Sequence, residues 1–105
     1  MLKILEDLIL LARERKANPV PKSYTNKLLE DKSLAKEKVI EEVGELIEAV
    51  EKDSNKIHEA ADVLYHLIIY LEVNGIKIEQ IMDELSSRKK WYIQKIFIKT
   101  ISIFP

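Results

Sequence analysis

The sequence predicts an all-α protein, a bundle of four to five helices, and three observations carry that expectation. Apolar residues recur three and four positions apart through most of the chain, the spacing of one helical face. Only two glycines and three prolines interrupt 105 residues, few for the tight turns a sheet needs. Asn74-Gly75 closes a long helical pattern, so it reads as a helix stop and not as a hairpin.

Leu2, Leu5, Leu8, Ile9 and Ala12, with Lys3, Glu6, Asp7, Arg13 and Glu14 between them, give a first amphipathic helix that ends by Asn18. Pro19-Val20-Pro21 forms a stiff connector, because each proline fixes its own φ and moves the preceding residue out of the helical region. Ser23 or Thr25 then caps a short helix carrying Leu28 and Leu29. Ser33 is the expected cap of a long helix whose apolar stripe is Val39, Val43, Leu46, Ile47 and Val50, with Glu41, Glu45 and Glu48 projecting elsewhere and Glu42 at the stripe's edge.

After a turn at 51–55, with Ser54 or Asn55 as cap, the next helix runs to about Val73. Ile57, Ala60, Ala61, Leu64, Leu67, Ile68 and Leu71 share one of its faces, and Glu59, Asp62 and His66 line up roughly opposite. A helix so largely apolar implies contacts on two sides, its own core and a partner or a site. A further helix spans about Ile78 to Lys90, with Ile81, Met82 and Leu85 inward and Arg88-Lys89-Lys90 suited to the negative end of its dipole. The chain thus divides into a helical domain over 1–90 and an apolar extension over 91–105, expected as another helix, or a strand, packed on a neighbouring subunit.

Composition excludes several classes of function. A net charge of −1 gives no basic field for nucleic acid, and the absence of cysteine removes disulfides, thiolate metal sites and cysteine nucleophiles. No apolar run reaches the ~20 residues of a membrane-spanning helix. Met1 to Asp7 carries acidic charge early and leads to no cleavage site, so a cytoplasmic protein is expected. At this size the surface competes with the core for apolar side chains, which favours a homodimer or higher homo-oligomer.

The chemistry is concentrated between Lys38 and Asp62. Glu42 with Glu45, and Glu59 with Asp62, stand three apart and so side by side on two successive helices. Either water solvates these like charges or cations lie between them. Asp62, set within Ala60-Ala61-Asp62-Val63-Leu64, favours cations, because a buried carboxylate without a partner is costly. Oxygen-only ligands select hard ions, so Mg²⁺ is expected, with Mn²⁺ as the variant. Such a site recruits phosphates and fits attack of water on phosphorus. A di-iron centre would need Glu-x-x-His on two helices, which neither His58 nor His66 provides; each histidine reads as a hydrogen-bonded structural residue.

Glu41-Glu42-Val43-Gly44-Glu45, a spacer and then Glu59-Ala60-Ala61-Asp62 resemble the signature of the MazG-like all-α nucleotide pyrophosphohydrolases. Ser23-Tyr24-Thr25 with Leu28-Leu29, Lys38, the run from Glu59 to Leu67 with its Tyr65-His66, Gly75-Ile76, and Leu85 with Arg88 narrow the resemblance to the phosphoribosyl-ATP pyrophosphohydrolase branch, over roughly Leu2 to Lys90. The resemblance implies Mg²⁺-dependent hydrolysis of 1-(5-phosphoribosyl)-ATP to 1-(5-phosphoribosyl)-AMP and pyrophosphate in histidine biosynthesis, by a homo-oligomer whose subunits jointly wall the site.

By position it implies Glu42, Glu45, Glu59 and Asp62 as metal ligands and Glu41 as a supporting carboxylate or the base that orients water. Lys38 and Arg88 are then candidates for phosphate charge, and Lys22, Ser23 and Thr25 for substrate hydrogen bonds. Ile40 departs from the family's usual glycine, and no second, cyclohydrolase domain is expected. Two other readings are a house-cleaning nucleoside triphosphate pyrophosphohydrolase and a non-catalytic helical dimerisation module.

Overall fold

The computed structural model describes residues 1–94, which fold into α1 (Lys3–Ala17), α2 (Tyr24–Leu29), α3 (Lys32–Lys52), α4 (Lys56–Val73) and α5 (Ile78–Gln94). No strand occurs among the described residues. α5 continues through the expected boundary at Lys90 as far as Gln94, and the extension beyond it lies outside the described residues. No helix among the described residues is long and apolar enough to cross a membrane.

Local chemistry sets the helix ends. Ser23 caps α2 by accepting the amide of Asn26 at 3.2 Å. The buried Asn26 side chain then accepts from Val20 N and donates to Arg15 O, so it ties the end of α1 to the proline connector. α3 is capped by Asp31 and not by Ser33: the Asp31 carboxylate accepts from Leu34 N at 3.0 Å, so the helix begins at Lys32 and Ser33 falls inside its first turn.

Both α3 and α4 end with paired reverse bonds that satisfy their last carbonyls. Ser54 N donates to Ala49 O and Asp53 N to Val50 O, while Ile76 N donates to Leu71 O and Gly75 N to Glu72 O. The first of these turns uses Asp53 at φ 52°, the second Gly75 at φ 69°.

Val20–Ser23 is a tight turn closed by Ser23 N to Val20 O, with Pro21 at its second position and Lys22 at φ 65° in its third. A lysine there carries the steric cost that glycine avoids. Lys22→Gly is therefore expected to raise stability by about 0.5 kcal/mol, net of the greater freedom of glycine in the unfolded chain. Urea denaturation checks this; a loss of stability would show that the Lys22 side chain holds the turn.

α3 and α4 form an antiparallel hairpin joined at Asp53–Asn55. On α3 its seam carries Ala35, Glu42 and Ala49, seven apart, and on α4 it carries Glu59, Asp62, His66, Ile69 and Val73, alternately three and four apart. α1 and α2 lie against α4, and a small core of Ala12, Leu28 and Ile69, flanked by Leu29, Leu34, Tyr65 and Val73, joins them.

This departs in part from the expected inner faces, although Ile68 of the expected α4 face is buried. Val43, Ile47 and Val50 on α3, and Ile57, Leu64 and Leu67 on α4, are exposed, whereas the stripe bearing Glu59, Asp62 and His66 faces the chain's own interior. The two alanines of α3 are buried, and the bulky aliphatic stripes are left on the outside. α5 buries none of its described side chains; Met82 and Leu85, expected inward, are exposed.

Candidate active site

The half of the hairpin seam nearest the α3–α4 turn is acidic. Glu41, Glu42 and Glu45 form one cluster on α3, and His58, Glu59 and Asp62 form another on α4, with ligand atoms within 4.8 Å of one another in each. Glu42 is the buried member, 6 % exposed, and its Oε2 has no hydrogen-bond partner; Glu59 also has a buried, unpartnered Oε2. Asp62, expected to be buried, keeps 38 % of its side chain exposed. The packing of α3 on α4 leaves Asp62 at the edge of the seam and buries Glu42 instead.

Burial, and then the neighbouring Glu45, push the Glu42 carboxyl above its ordinary range, with Asp62 adding to the effect and His66 opposing it. Burial also raises Glu59, again with Glu45 as the next cause. Glu45 and Glu59, and Glu42 and Asp62, thus bear on each other's ionisation between the two helices. Lys38 offsets part of their charge: its Nζ lies 3.2 Å from Glu41 and 3.6 Å from Glu42, and the bond to Glu41 raises its pKa.

Behind the carboxylates lies a network that the sequence did not disclose. His66 is buried, and its Nδ1 donates to the carbonyl of Asp62 at 2.7 Å. In the neutral ring Nε2 is then an acceptor, so the Tyr24 hydroxyl donates to it at 2.8 Å. Tyr65 stands edge-on to His66 and shares a 2.5 Å hydrogen bond with the buried Thr25 hydroxyl. α2 is thereby fastened to α4 just behind Asp62. The Ser-Tyr-Thr and Tyr-His segments carried this signal, as paired hydrogen-bonding types, but no spacing rule joins residues some forty positions apart.

The other candidates are distributed differently. The Thr25 hydroxyl is engaged with Tyr65, and the Ser23 hydroxyl both caps α2 and accepts from Arg15 Nη1 at 2.7 Å, so both serve the fold within the chain. Lys22 is exposed on the connector. Arg88 bonds to Glu84 one turn earlier on α5 at 3.0 Å. Of the five residues considered for substrate contacts, Lys38 is the one the structure draws into the carboxylates.

The family model of the phosphoribosyl-ATP pyrophosphohydrolases matches residues 5–89, which include every candidate above. The chain belongs to that family. Among the family's curated members, phosphoribosyl-ATP pyrophosphatase of Methanobrevibacter smithii is 33 % identical over 92 residues, covering 83 % of this chain and 95 % of the relative. The Clostridium acetobutylicum phosphoribosyl-ATP pyrophosphatase is 42 % identical over 99 residues, covering 89 % of this chain and 87 % of its own. The histidine biosynthesis bifunctional protein HisIE of Pyrococcus furiosus is 40 % identical over 92 residues; the match takes 85 % of this chain but 43 % of that longer protein. No solved structure matches the chain.

Proposed function

We propose that this chain hydrolyses 1-(5-phosphoribosyl)-ATP to 1-(5-phosphoribosyl)-AMP and pyrophosphate, in the cytoplasm, with Mg²⁺ held by Glu42, Glu45, Glu59 and Asp62. The observation that carries this reading is the unpartnered, buried Oε2 of Glu42, set among three further carboxylates in a member of the phosphoribosyl-ATP pyrophosphohydrolase family. A carboxylate enclosed at such cost is stabilised by a hard cation, and the donor set, oxygen with no sulfur, fits Mg²⁺ or Mn²⁺. When bound, the ion neutralises phosphate oxygens and lowers the pKa of an attacking water.

The remaining steps belong to the chain. Lys38 stands at the rim of the acidic cluster, where its ammonium meets phosphate charge, and Glu41, exposed beside it, is placed to orient water. His66 fixes the Asp62 segment through its carbonyl, and Tyr24 fixes His66.

The concavity beside Glu45 and Glu59 measures about 260 Å³, small for a nucleotide carrying two ribosyl groups. A second copy of the chain completes it in our reading, because the exposed stripes of α3 and α4, with Ile40 64 % and Ile57 88 % exposed, are the surface that a homodimer or higher homo-oligomer would cover. Leu64→Glu is accordingly expected to convert the oligomer to monomers in multi-angle light scattering. An oligomer of unchanged mass would place the interface elsewhere.

The deciding experiment incubates the purified protein and Mg²⁺ with phosphoribosyl-ATP or with a panel of nucleoside triphosphates while pyrophosphate is followed. Release from phosphoribosyl-ATP alone is expected. Release across the panel would point to a house-cleaning hydrolase, and silence from every substrate would overturn the enzymatic reading.

A further inference from the structure

The phosphoribosyl group gives the proposed substrate a second phosphate, remote from the triphosphate, and that charge needs a partner of its own. The concavity at the carboxylates does not offer one. Its charged lining is Glu45, Glu48 and Glu59 with a single lysine, Lys52, which is already paired with Glu48.

A larger concavity, about 570 Å³, lies along the proline connector. Pro19, Val20, Pro21 and the partly exposed Tyr24 supply apolar wall, and the charged lining is Lys22, Lys27 and Glu30. Both lysines are exposed, and among the described residues neither ammonium has an ion pair or a hydrogen bond. Lys22 also stands at φ 65°, a conformation that glycine adopts freely and lysine does not. Strain of this kind persists where the side chain has a use.

Tyr24 links this cavity to the carboxylates. It lines the cavity, yet its hydroxyl donates to His66 at 2.8 Å, and His66 is fixed in turn on the Asp62 carbonyl. Burial raises the pKa of that hydroxyl, and the charges of Lys38, Glu42 and Glu41 reach it as well. One aromatic residue thus borders both sites, and a ligand with phosphates at its two ends can span it.

We propose that the connector cavity binds the phosphorylated pentose of the substrate, with Lys22 and Lys27 taking its 5-phosphate and Tyr24 and the prolines packing against sugar and base. The proposal rests on the carboxylate site and the substrate given under the proposed function. It makes the cavity the part of the protein that distinguishes phosphoribosyl-ATP from ordinary nucleoside triphosphates, which lack the second phosphate. The charge of that phosphate does not change when the α–β bond breaks. The two lysines therefore hold ground state and transition state equally, and their removal acts on KM and not on kcat.

The test uses Lys22→Asn, which removes the charge with a residue that tolerates the left-handed backbone, and Lys27→Gln. Each is expected to raise KM for phosphoribosyl-ATP about tenfold and to leave kcat within about twofold, with Lys27→Arg restoring the parent's KM. Urea denaturation should show Lys22→Asn no less stable than the parent, so that weaker binding is not loss of fold. In calorimetry, phosphoribosyl-AMP should bind the parent about tenfold or more tightly than AMP, and this ratio should fall toward one when both lysines are replaced. Parent-like KM in both variants, a loss confined to kcat, or a ratio unchanged by the double replacement overturns the assignment of the cavity and leaves the carboxylate site standing. A parent that hydrolyses no phosphoribosyl-ATP overturns the substrate reading, and this proposal with it.

Discussion

Glu42→Gln is expected to lower pyrophosphate release by about two to three orders of magnitude, while the metal-free protein stays folded and becomes more stable at neutral pH. The amide keeps the shape of the carboxylate but removes the charge that burial opposes and that a cation would require. The sign of the pH dependence follows from the direction of the shift. Because the folded pKa of Glu42 lies above its unfolded value, its contribution is fully present below the ordinary carboxylate range and is lost as pH rises through the raised value. The metal-free parent should therefore gain stability on mild acidification, and the glutamine variant should show less of that gain. Added Mg²⁺ should raise the melting temperature of the parent, in proportion to the logarithm of its concentration, and leave the variant's nearly unchanged. A variant that both turns over substrate and responds to Mg²⁺ like the parent would sink the assignment of Glu42.

The second large effect is structural. Arg13 on α1 donates through Nε to Glu72 of α4 at 3.1 Å, and through its two terminal nitrogens to Glu79 of α5 at 2.9 and 2.6 Å. Glu72 is buried, so removing the guanidinium strands a carboxylate inside the bundle. Arg13→Ala is expected to cost about 3 kcal/mol, on the scale of a buried pair broken on one side. The same change should speed hydrogen exchange in the first turn of α5, which Glu79 anchors.

Acid acts on the same junction. The two bonds from Arg13 hold the Glu79 carboxyl at about 2, below the ordinary 4.5, so its contribution is present above 4.5 and fades as pH falls toward 2. The stability gap between parent and Arg13→Ala in urea should accordingly be narrower at pH 3 than at pH 7. A gap under about 1 kcal/mol at pH 7 would mean that water reaches Glu72 and that the cluster is ornamental.

The helices themselves were legible, because each long one carries an apolar repeat near 3.6 residues and ends at proline, glycine or a polar cap. The acidic residues were legible as well, since three-residue spacing on a helix places side chains together whatever the rest of the chain does. What misled was the choice of inner face. α4 has apolar side chains around most of its circumference, so periodicity could not say which stripe the chain covers itself; the seam took His66, Ile69 and Val73 and left Ile57 and Leu64 outside. That rotation also moved the buried charge from Asp62, where the aliphatic neighbours pointed, to Glu42, which had been placed only at a stripe's edge. Ser33 lost its capping role for a smaller reason, a carboxylate two residues earlier with the better reach to the orphan amides.

By itself the sequence determined the all-α class, the helix limits to within a few residues, and the carboxylate pairs that mark the family, because these depend on near neighbours along the chain. Only the tertiary structure decided that Glu42 is enclosed without a partner, that Tyr24 and His66 brace Asp62 from behind, and that Arg13 ties together α1, α4 and α5. Those outcomes arise from contacts between residues tens of positions apart. They are set by which helical faces meet, a choice made by packing volume and desolvation across the whole bundle and not by any local preference.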